Sequence, residues 1–508
     1  MYVLSVAQSY QADRDAAEAG VSGLQLMEAA GQAVVYAIQG QWEKRPVLIL
    51  AGPGNNGGDG FVVARLLQAA KWPVQLYMLG DKSQLSGDAA ANAKRWRVKV
   101  LPLADALERL IDLRADDEVI VVDALFGAGL SRPLEGTVKS LVELLNIKRE
   151  EGSTPPVVAV DIPSGVDGDT GQALKGIALE ADLTVTFGHP KPGHLLLPGR
   201  KLCGELLVVD IGIPDAVIDG IAPLIQLNDT KLWGEAFPDV DVAANKYTRG
   251  HLVVLGGAVM CGAARLAALA ARRAGAGLVS IAVPEDVFSI YAAATDPGTL
   301  VYPFNNLKTF KKMLDDERKS TLVIGPGAGV CKATRDKVLA ALKAGKRLVL
   351  DADALSVFQD APKVLFKALK GRARDVVLTP HGGEFARLFP DLAKEQKNVG
   401  KLEVTRLAAK RAGCVVLYKG ADTVVSAPDG QAAITVNAPP TLASGGMGDV
   451  LAGFIGALLA QGMPAFAAAN AAAWLHGECA NAFGPGLIAE DLIDELPQVL
   501  DGLFDLLV

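Results

Sequence analysis

Short apolar runs alternate with amphipathic stretches through the first two hundred residues of the chain. The runs at 47–51, 74–79, 118–123, 157–161, 183–187 and 206–210 read as buried strands, and 61–70 and 137–145 as helices between them. Strand–helix alternation of this kind predicts a mostly parallel sheet with right-handed crossovers. Ahead of it, 5–39 has the spacing of two amphipathic helices interrupted around 20–23. The pattern weakens between 215 and 245. A second alternating series then begins, with strands at 251–255, 278–283, 321–324, 348–351, 376–379, 415–418 and 433–436. Its helices fall at 265–274, 335–342, 403–412, 450–461 and 465–482. The chain therefore reads as two α/β domains, 1–224 and 225–508, in keeping with a length of 508 residues, too great for one ordinary core.

Composition narrows the class. Half of the residues are hydrophobic, 21% are charged and only 6% aromatic, the balance of α/β enzymes with buried strands and Ala-rich helices. A net charge of −7 offers no general attraction to nucleic acid or anionic lipid, so any phosphate must be held by local loops and helix ends. The five cysteines are scattered without a CxxC pair, which argues against a zinc site or redox dithiol and for reduced thiols in a cytoplasmic protein. No signal-peptide pattern or bilayer-length apolar run is evident, so a soluble protein is expected. The Ala-rich helices could also pack subunits into a homo-oligomer.

Candidate chemistry sits where strands end. Gly52-Pro53-Gly54-Asn55-Asn56-Gly57-Gly58-Asp59-Gly60 follows the first strand and opens a helix. Its glycines could turn backbone N–H groups toward a ligand at the helix N-terminus, although the spacing is not that of a dinucleotide fingerprint. Asp123 and Asp161 close two further strands, each followed by a Gly-rich loop, and ligands of open α/β sheets bind beyond such ends. Asp161 is the best acid/base candidate. Asn56, Asp123 and Ser164 form an oxygen-rich set that suits a hard cation, or hydrogen bonding between loops. Lys191 could contact an anion or stand in solvent.

In the second half, Gly445-Gly446-Met447-Gly448-Asp449 precedes an apolar helix read as starting at Val450. Backbone amides there can stabilise a transferring phosphoryl group, with Asp449 placed to take a proton from a substrate hydroxyl. Lys419-Gly420-Ala421-Asp422-Thr423 offers a cation, a tight turn and hydroxyls for a nucleotide. Gly327 in a Gly-rich turn, and His381 beside Gly382-Gly383, are further strand-end contacts. Asp351 and Asp353 could polarise a substrate, bind magnesium-bridged phosphate, or cap the next helix. The turn before the second domain's first helix is expected to line the same pocket.

In this order, GPGNNGGDG, VDALFGAGL, VDIPSGVDGDTG, GPGAG, DADAL, TPHGGE, KGADT and GGMGDVLAG closely resemble the bifunctional NAD(P)H-hydrate repair enzymes over nearly the whole chain. The resemblance implies a Rossmann-like epimerase domain followed by a ribokinase-like, nucleotide-dependent dehydratase domain. It implies K+ on Asn56, Asp123 and Ser164. It also implies hydrate contacts from Asn55, Asn56, Gly57, Gly58, Asp59, Gly127, Ala128, Gly129, Leu130, Ser131, Arg132, Pro133 and Asp161. In the second domain it implies hydrate contacts from Ala263, Gly327, His381 and Asp449, and nucleotide contacts from Lys419 to Thr423 and from Gly448. Mg2+ and ADP as co-substrate are expected there, with ADP favoured because the domain order is similar to the bacterial arrangement. A small-molecule kinase of the ribokinase class fits the GGMGD turn equally well. The N-terminal loops distinguish the two, since such a kinase needs no second ligand site.

Overall fold

The computed structural model describes residues 1–113, 117–239 and 242–507, so Val240 and Asp241, in the weakly patterned stretch, lie outside the described residues. The chain divides into two compact units, Tyr2–Pro223 and Leu224–Val508 with Met1.

The first unit holds seven parallel strands. They are β1 (Val47–Ala51), β2 (Val74–Met78), β3 (Leu101–Pro102), β4 (Ile120–Ala124), β5 (Val157–Val160), β6 (Leu183–Phe187) and β7 (Glu205–Val209), in spatial order β3-β2-β1-β4-β5-β6-β7. Continuous apolar runs arise because both sheet faces are covered. Ile49 and Ala51 pack with Phe61 and Val63 on one side, whereas Leu48 and Leu50 pack with Val138 and Leu141 on the other. The strand order reverses between β1 and β4, which opens a crevice at their carboxyl ends. The two leading helices are Val6–Glu18 and Gly23–Gln41, each opened by a Ser capping box.

The second unit carries β8 (Ile225–Leu227), β9 (His251–Leu255), β10 (Leu278–Pro284), β11 (Leu300–Phe304), β12 (Thr321–Ile324), β13 (Arg347–Leu350), β14 (Val376–Leu378), β15 (Val415–Tyr418), β16 (Val424–Ser426) and β17 (Ala432–Ile434). Their order is β11-β10-β9-β12-β13-β14-β15-β16-β17-β8, with only β16 antiparallel to its neighbours. Here the order reverses between β9 and β12. Helices Cys261–Arg273, Met447–Ala460, Ala465–Phe483 and Ala489–Leu507 cover one face, and Lys332–Lys343, Pro362–Leu369 and Pro390–Ala412 the other.

Several expectations are corrected. The helix expected from Phe61 begins at Asn55, and the one expected from Val450 begins at Met447, so parts of both Gly-rich motifs form first turns rather than preceding loops. The stretch from 215 contains helix Asp215–Ile221, β8 and helix Thr230–Trp233. Strands β3, β8, β11 and β16 also went unread. Among the described residues, no helix is long and apolar enough to cross a membrane.

Candidate active sites

In the first unit, the loops after β1 and β4 touch: a Cβ on Gly52 would fall 1.7 Å from the Leu125 carbonyl oxygen, so only glycine fits. Beside this junction lies a cavity of about 570 Å³. Asn55, Asn56, Asp59, Asp161, Lys191 and the loop residues Gly127, Ala128, Gly129, Leu130 and Arg132 line it. Ser131 and Pro133 belong to that loop but not to the cavity wall. Gly57 and Gly58 turn inward, packing on the Gly52 carbonyl and on Met27 and Ala89. Their small size allows this close packing.

Asp161 has a left-handed backbone (φ 66°), uncommon outside glycine, and is heavily braced. Its carboxylate accepts from Lys191 Nζ at 2.7 Å, Thr186 Oγ1 at 3.1 Å and the Ala128 amide at 3.0 Å. His194 Nδ1 accepts the Lys191 amide, so Nε2 carries the ring proton and donates to the Asp161 carbonyl at 2.8 Å. Burial and the Lys191 ammonium push His194 down to about 4, leaving the ring neutral. Burial alone would raise the Asp161 carboxyl, but Lys191 and its other partners hold it at about 2. Lys191 is thus neither solvated nor free for an external anion; it is buried against Asp161. Asp59 goes the other way: burial, with Asp161 and Asp13 nearby, raises it well above the usual carboxylate range.

Under the cavity, Asp123 is fully buried and accepts from the Ser164 hydroxyl at 2.7 Å, the Ser164 amide at 2.8 Å and the Leu125 amide at 3.2 Å. Burial pushes its carboxyl up to about 6 against those bonds. Asn56 is also buried, yet its side-chain nitrogen and oxygen have no hydrogen-bond partner. A buried amide left unpaired is costly. An amide oxygen, a carboxylate and a hydroxyl make an all-oxygen donor set that fits a hard cation, and the orphaned Asn56 gives the ion something to satisfy. Among the described residues, no group of three or more His, Cys, Asp or Glu is placed to hold a metal ion. Tyr10, Asp13 and Arg14 from the first helix complete the wall; nothing in their sequence marks them apart from one amphipathic face.

The second unit repeats the arrangement with other residues. A Cβ on Gly257, after β9, would fall 1.7 Å from the carbonyl oxygen of Gly327, after β12. Gly329 in turn donates its amide to Asp353 at 2.8 Å. Lys419, just after β15, reaches Asp351 Oδ1 at 2.6 Å and lies 3.9 Å from Glu384, while Thr379 donates to the same Asp351 oxygen at 2.8 Å. Gly446 (φ 87°) caps helix Met447–Ala460, placing Gly448 and Asp449 in its first turn, with the Asp449 amide donating to the Gly446 carbonyl at 3.0 Å. A Cβ on Gly448 would stand 3.6 Å from Lys419 Nζ and 4.0 Å from Asp351 Oδ2, so helix end and ion pair adjoin. Burial, with Asp351 nearby, pushes the Asp449 carboxyl up to about 6, although Lys419 pulls it down.

Around this centre, Ala263 lies in the first turn of helix Cys261–Arg273, and exposed His381 caps helix Gly382–Leu388 through Nδ1. Gly420, Ala421, Asp422 and Thr423 form the β15–β16 turn, in which Thr423 Oγ1 donates to the Gly420 carbonyl at 2.7 Å. Sequence reasoning missed His476, whose Nε2 lies 3.0 Å from the Met447 carbonyl and steadies the helix start, and Lys401 beneath the β15–β16 turn. Both are single residues on helices, without a loop signature.

Residues 251–498 match the family described as NAD(P)H-hydrate dehydratase, and 23–193 the family described as YjeF-related protein N-terminus. The chain is similar to the bifunctional NAD(P)H-hydrate repair enzyme of Moorella thermoacetica, 36% identical over 99% of this chain and 97% of the relative. The enzyme of the same description from Thermofilum pendens is 35% identical, with the same coverage of 99% and 97%. Among solved structures, the ADP/ATP-dependent NAD(P)H-hydrate dehydratase from Bacillus subtilis, co-crystallized with ATP/Mg2+, is 28% identical. That likeness covers 55% of this chain and 98% of the other, with a TM-score of 0.47.

Proposed function

This chain belongs to the family of bifunctional NAD(P)H-hydrate repair enzymes, and we propose that each of the two sites performs one of the family's two reactions. The protein is an NAD(P)H-hydrate epimerase and dehydratase in one chain. The first unit interconverts the R and S hydrates in the cavity beside β1 and β4. Asn55, Asp59 and the 127–133 loop hold the hydrated nucleotide, and Asp161 is the acid/base group that assists exchange of configuration at the hydrated ring carbon. Its ion pair with Lys191 keeps it ionised and fixed in direction. K+ on Asn56, Asp123 and Ser164 would join the loops after β1, β4 and β5 and supply local positive charge.

The second unit removes water from the S hydrate. Water is a poor leaving group, so the hydroxyl is phosphorylated first. Asp449 takes the hydroxyl proton, and the amides at the start of helix Met447–Ala460 stabilise the transferring phosphoryl group. Electrons of the ring nitrogen then expel phosphate, and the iminium left behind loses a proton from the neighbouring ring carbon to water, which restores the reduced nicotinamide. Ala263, Gly327 and His381 contact the hydrate; Lys419 to Thr423 and Gly448 contact the nucleotide, with ADP the favoured donor. Asp351 and Glu384 are engaged with Lys419, so Mg2+ would be held chiefly by the nucleotide's own phosphates, supplying charge neutralisation.

The observation that carries the dehydratase reading is Asp449, with its raised carboxyl, in the first turn of a helix next to the Lys419–Asp351 pair. The test is a mixture of R and S hydrates incubated with ADP or ATP, followed by the absorbance of reduced nicotinamide. Full conversion with ADP supports both assignments and the donor. Conversion halting at the S share contradicts the epimerase assignment, and no conversion with either nucleotide contradicts the dehydratase assignment.

A further inference from the structure

Lysine is seldom buried without a task. Lys401 is only 9% exposed, on the face of helix Pro390–Ala412 that looks toward the β15–β16 turn. That helix is interrupted one residue earlier by Gly400 (φ 80°, ψ 163°), a left-handed break that resets its phase. The Lys401 ammonium donates to Asp422 Oδ1 at 2.7 Å and to the Lys419 carbonyl at 3.3 Å, and stands 4.7 Å from the centre of the Tyr418 ring. One side chain therefore touches three residues at the end of β15 and in the turn after it.

Gly420 completes the fit. A Cβ there would lie 2.5 Å from Lys401 Nζ, so glycine lets the turn sit directly over the ammonium. Within the turn, the Gly420 amide donates to Thr423 Oγ1 at 3.1 Å while that hydroxyl donates to the Gly420 carbonyl. The two lysines work in opposite directions. The Lys419 side chain extends to Asp351 in the catalytic cluster, and its carbonyl is fixed from beneath by Lys401.

We propose that Lys401 is a positioning residue for the nucleotide: from beneath the β15–β16 turn, it holds the backbone of residues 419–422 in the shape that receives the nucleoside diphosphate. It acts through the turn and does not touch the nucleotide. Burial lowers its amine, and Asp422 opposes that shift. The proposal rests on the assignment of this turn to the nucleotide.

The test compares wild type with Lys401→Met, using ADP with Mg2+ and the S hydrate. The expected result is a nucleotide KM raised about tenfold or more, with kcat at saturating ADP and the hydrate KM each within about threefold of wild type. Calorimetric binding of ADP alone should weaken by a similar factor. A folded variant whose ADP affinity stays within about twofold of wild type overturns the proposal, as does one that loses kcat while keeping ADP affinity. If Lys401→Met does not fold, Lys401→Gln, which keeps a hydrogen-bond donor but no charge, is compared on the same readouts. Wild type that binds ADP without dehydrating the hydrate would contradict the function while leaving the Lys401 comparison intact.

Discussion

Lys419 Nζ lies 2.6 Å from Asp351 Oδ1, and this ion pair adjoins Gly448 in the first turn of helix Met447–Ala460. Burial lowers the amine, but Asp351 and Glu384 outweigh it, so the net shift is upward and the lysine stays charged. A fixed cation beside a helix N-terminus favours the negative charge of a phosphoryl group. Asp449, in the same turn, is the base proposed for the hydroxyl proton.

Asp449→Asn should therefore lower dehydration by about 10²–10⁴-fold, the usual scale of a lost general base, while epimerisation continues. Single-turnover dehydration of the pure S hydrate checks this. A loss of less than about tenfold would rule out Asp449 as the base.

The same carboxyl sets a pH dependence. Burial and Asp351 push it up to about 6, and a base works only when deprotonated. The kcat/KM of wild-type dehydration should fall about tenfold per pH unit below about 6 and level off above it. A profile still flat near pH 5 would contradict this.

Lys191→Met removes the cation that opposes burial at Asp161, so that carboxyl must rise from about 2. Epimerisation should acquire a new acid limb, losing rate as pH falls through a range where wild type is constant. Unchanged pH–rate profiles in a folded variant would separate Lys191 from the chemistry.

K+ is tested by replacing it with tetramethylammonium, whose methyl groups keep oxygen donors from closing on the charge. Epimerisation should fall several-fold while dehydration of the S hydrate holds. Asn56→Leu, which lacks the amide oxygen, should abolish the response to K+. Equal epimerisation rates in the two salts would remove the ion from the account.

Gly257→Ala forces a Cβ to within 1.7 Å of the Gly327 carbonyl oxygen. Backbone must shift at the β9–β12 junction, at a cost of about 1–3 kcal/mol or more, and dehydration should fall with it. Urea unfolding and the S-hydrate assay check both effects.

Much of this was legible because doubly covered parallel strands write themselves as unbroken apolar runs, as 47–51 and 321–324 do. The missed strands are those where that logic fails. Strand β3 has two residues, β8 and β16 have three, and edge strand β11 contains Pro303 and leaves Leu300 and Tyr302 exposed. Helix starts were misplaced because Gly57, Gly58 and Gly448 read as loop, whereas tight neighbours make glycine necessary at Gly57 and Gly58 inside a helix. The strand-end loops were conspicuous for their glycines and acids. His194, Lys401 and Tyr10 were not, and Lys191 stood out without its partner Asp161, since each acquires its role only when distant segments meet.

The central claim, two independent sites completing one repair, is most directly tested by mixing two single-site variants. With R and S hydrates and ADP, Asp161→Asn alone should stop at the S share plus slow spontaneous epimerisation, and Asp449→Asn alone should restore almost no nicotinamide absorbance. Together they should carry the mixture to full conversion. A mixture that converts no more than Asp161→Asn alone would contradict the account.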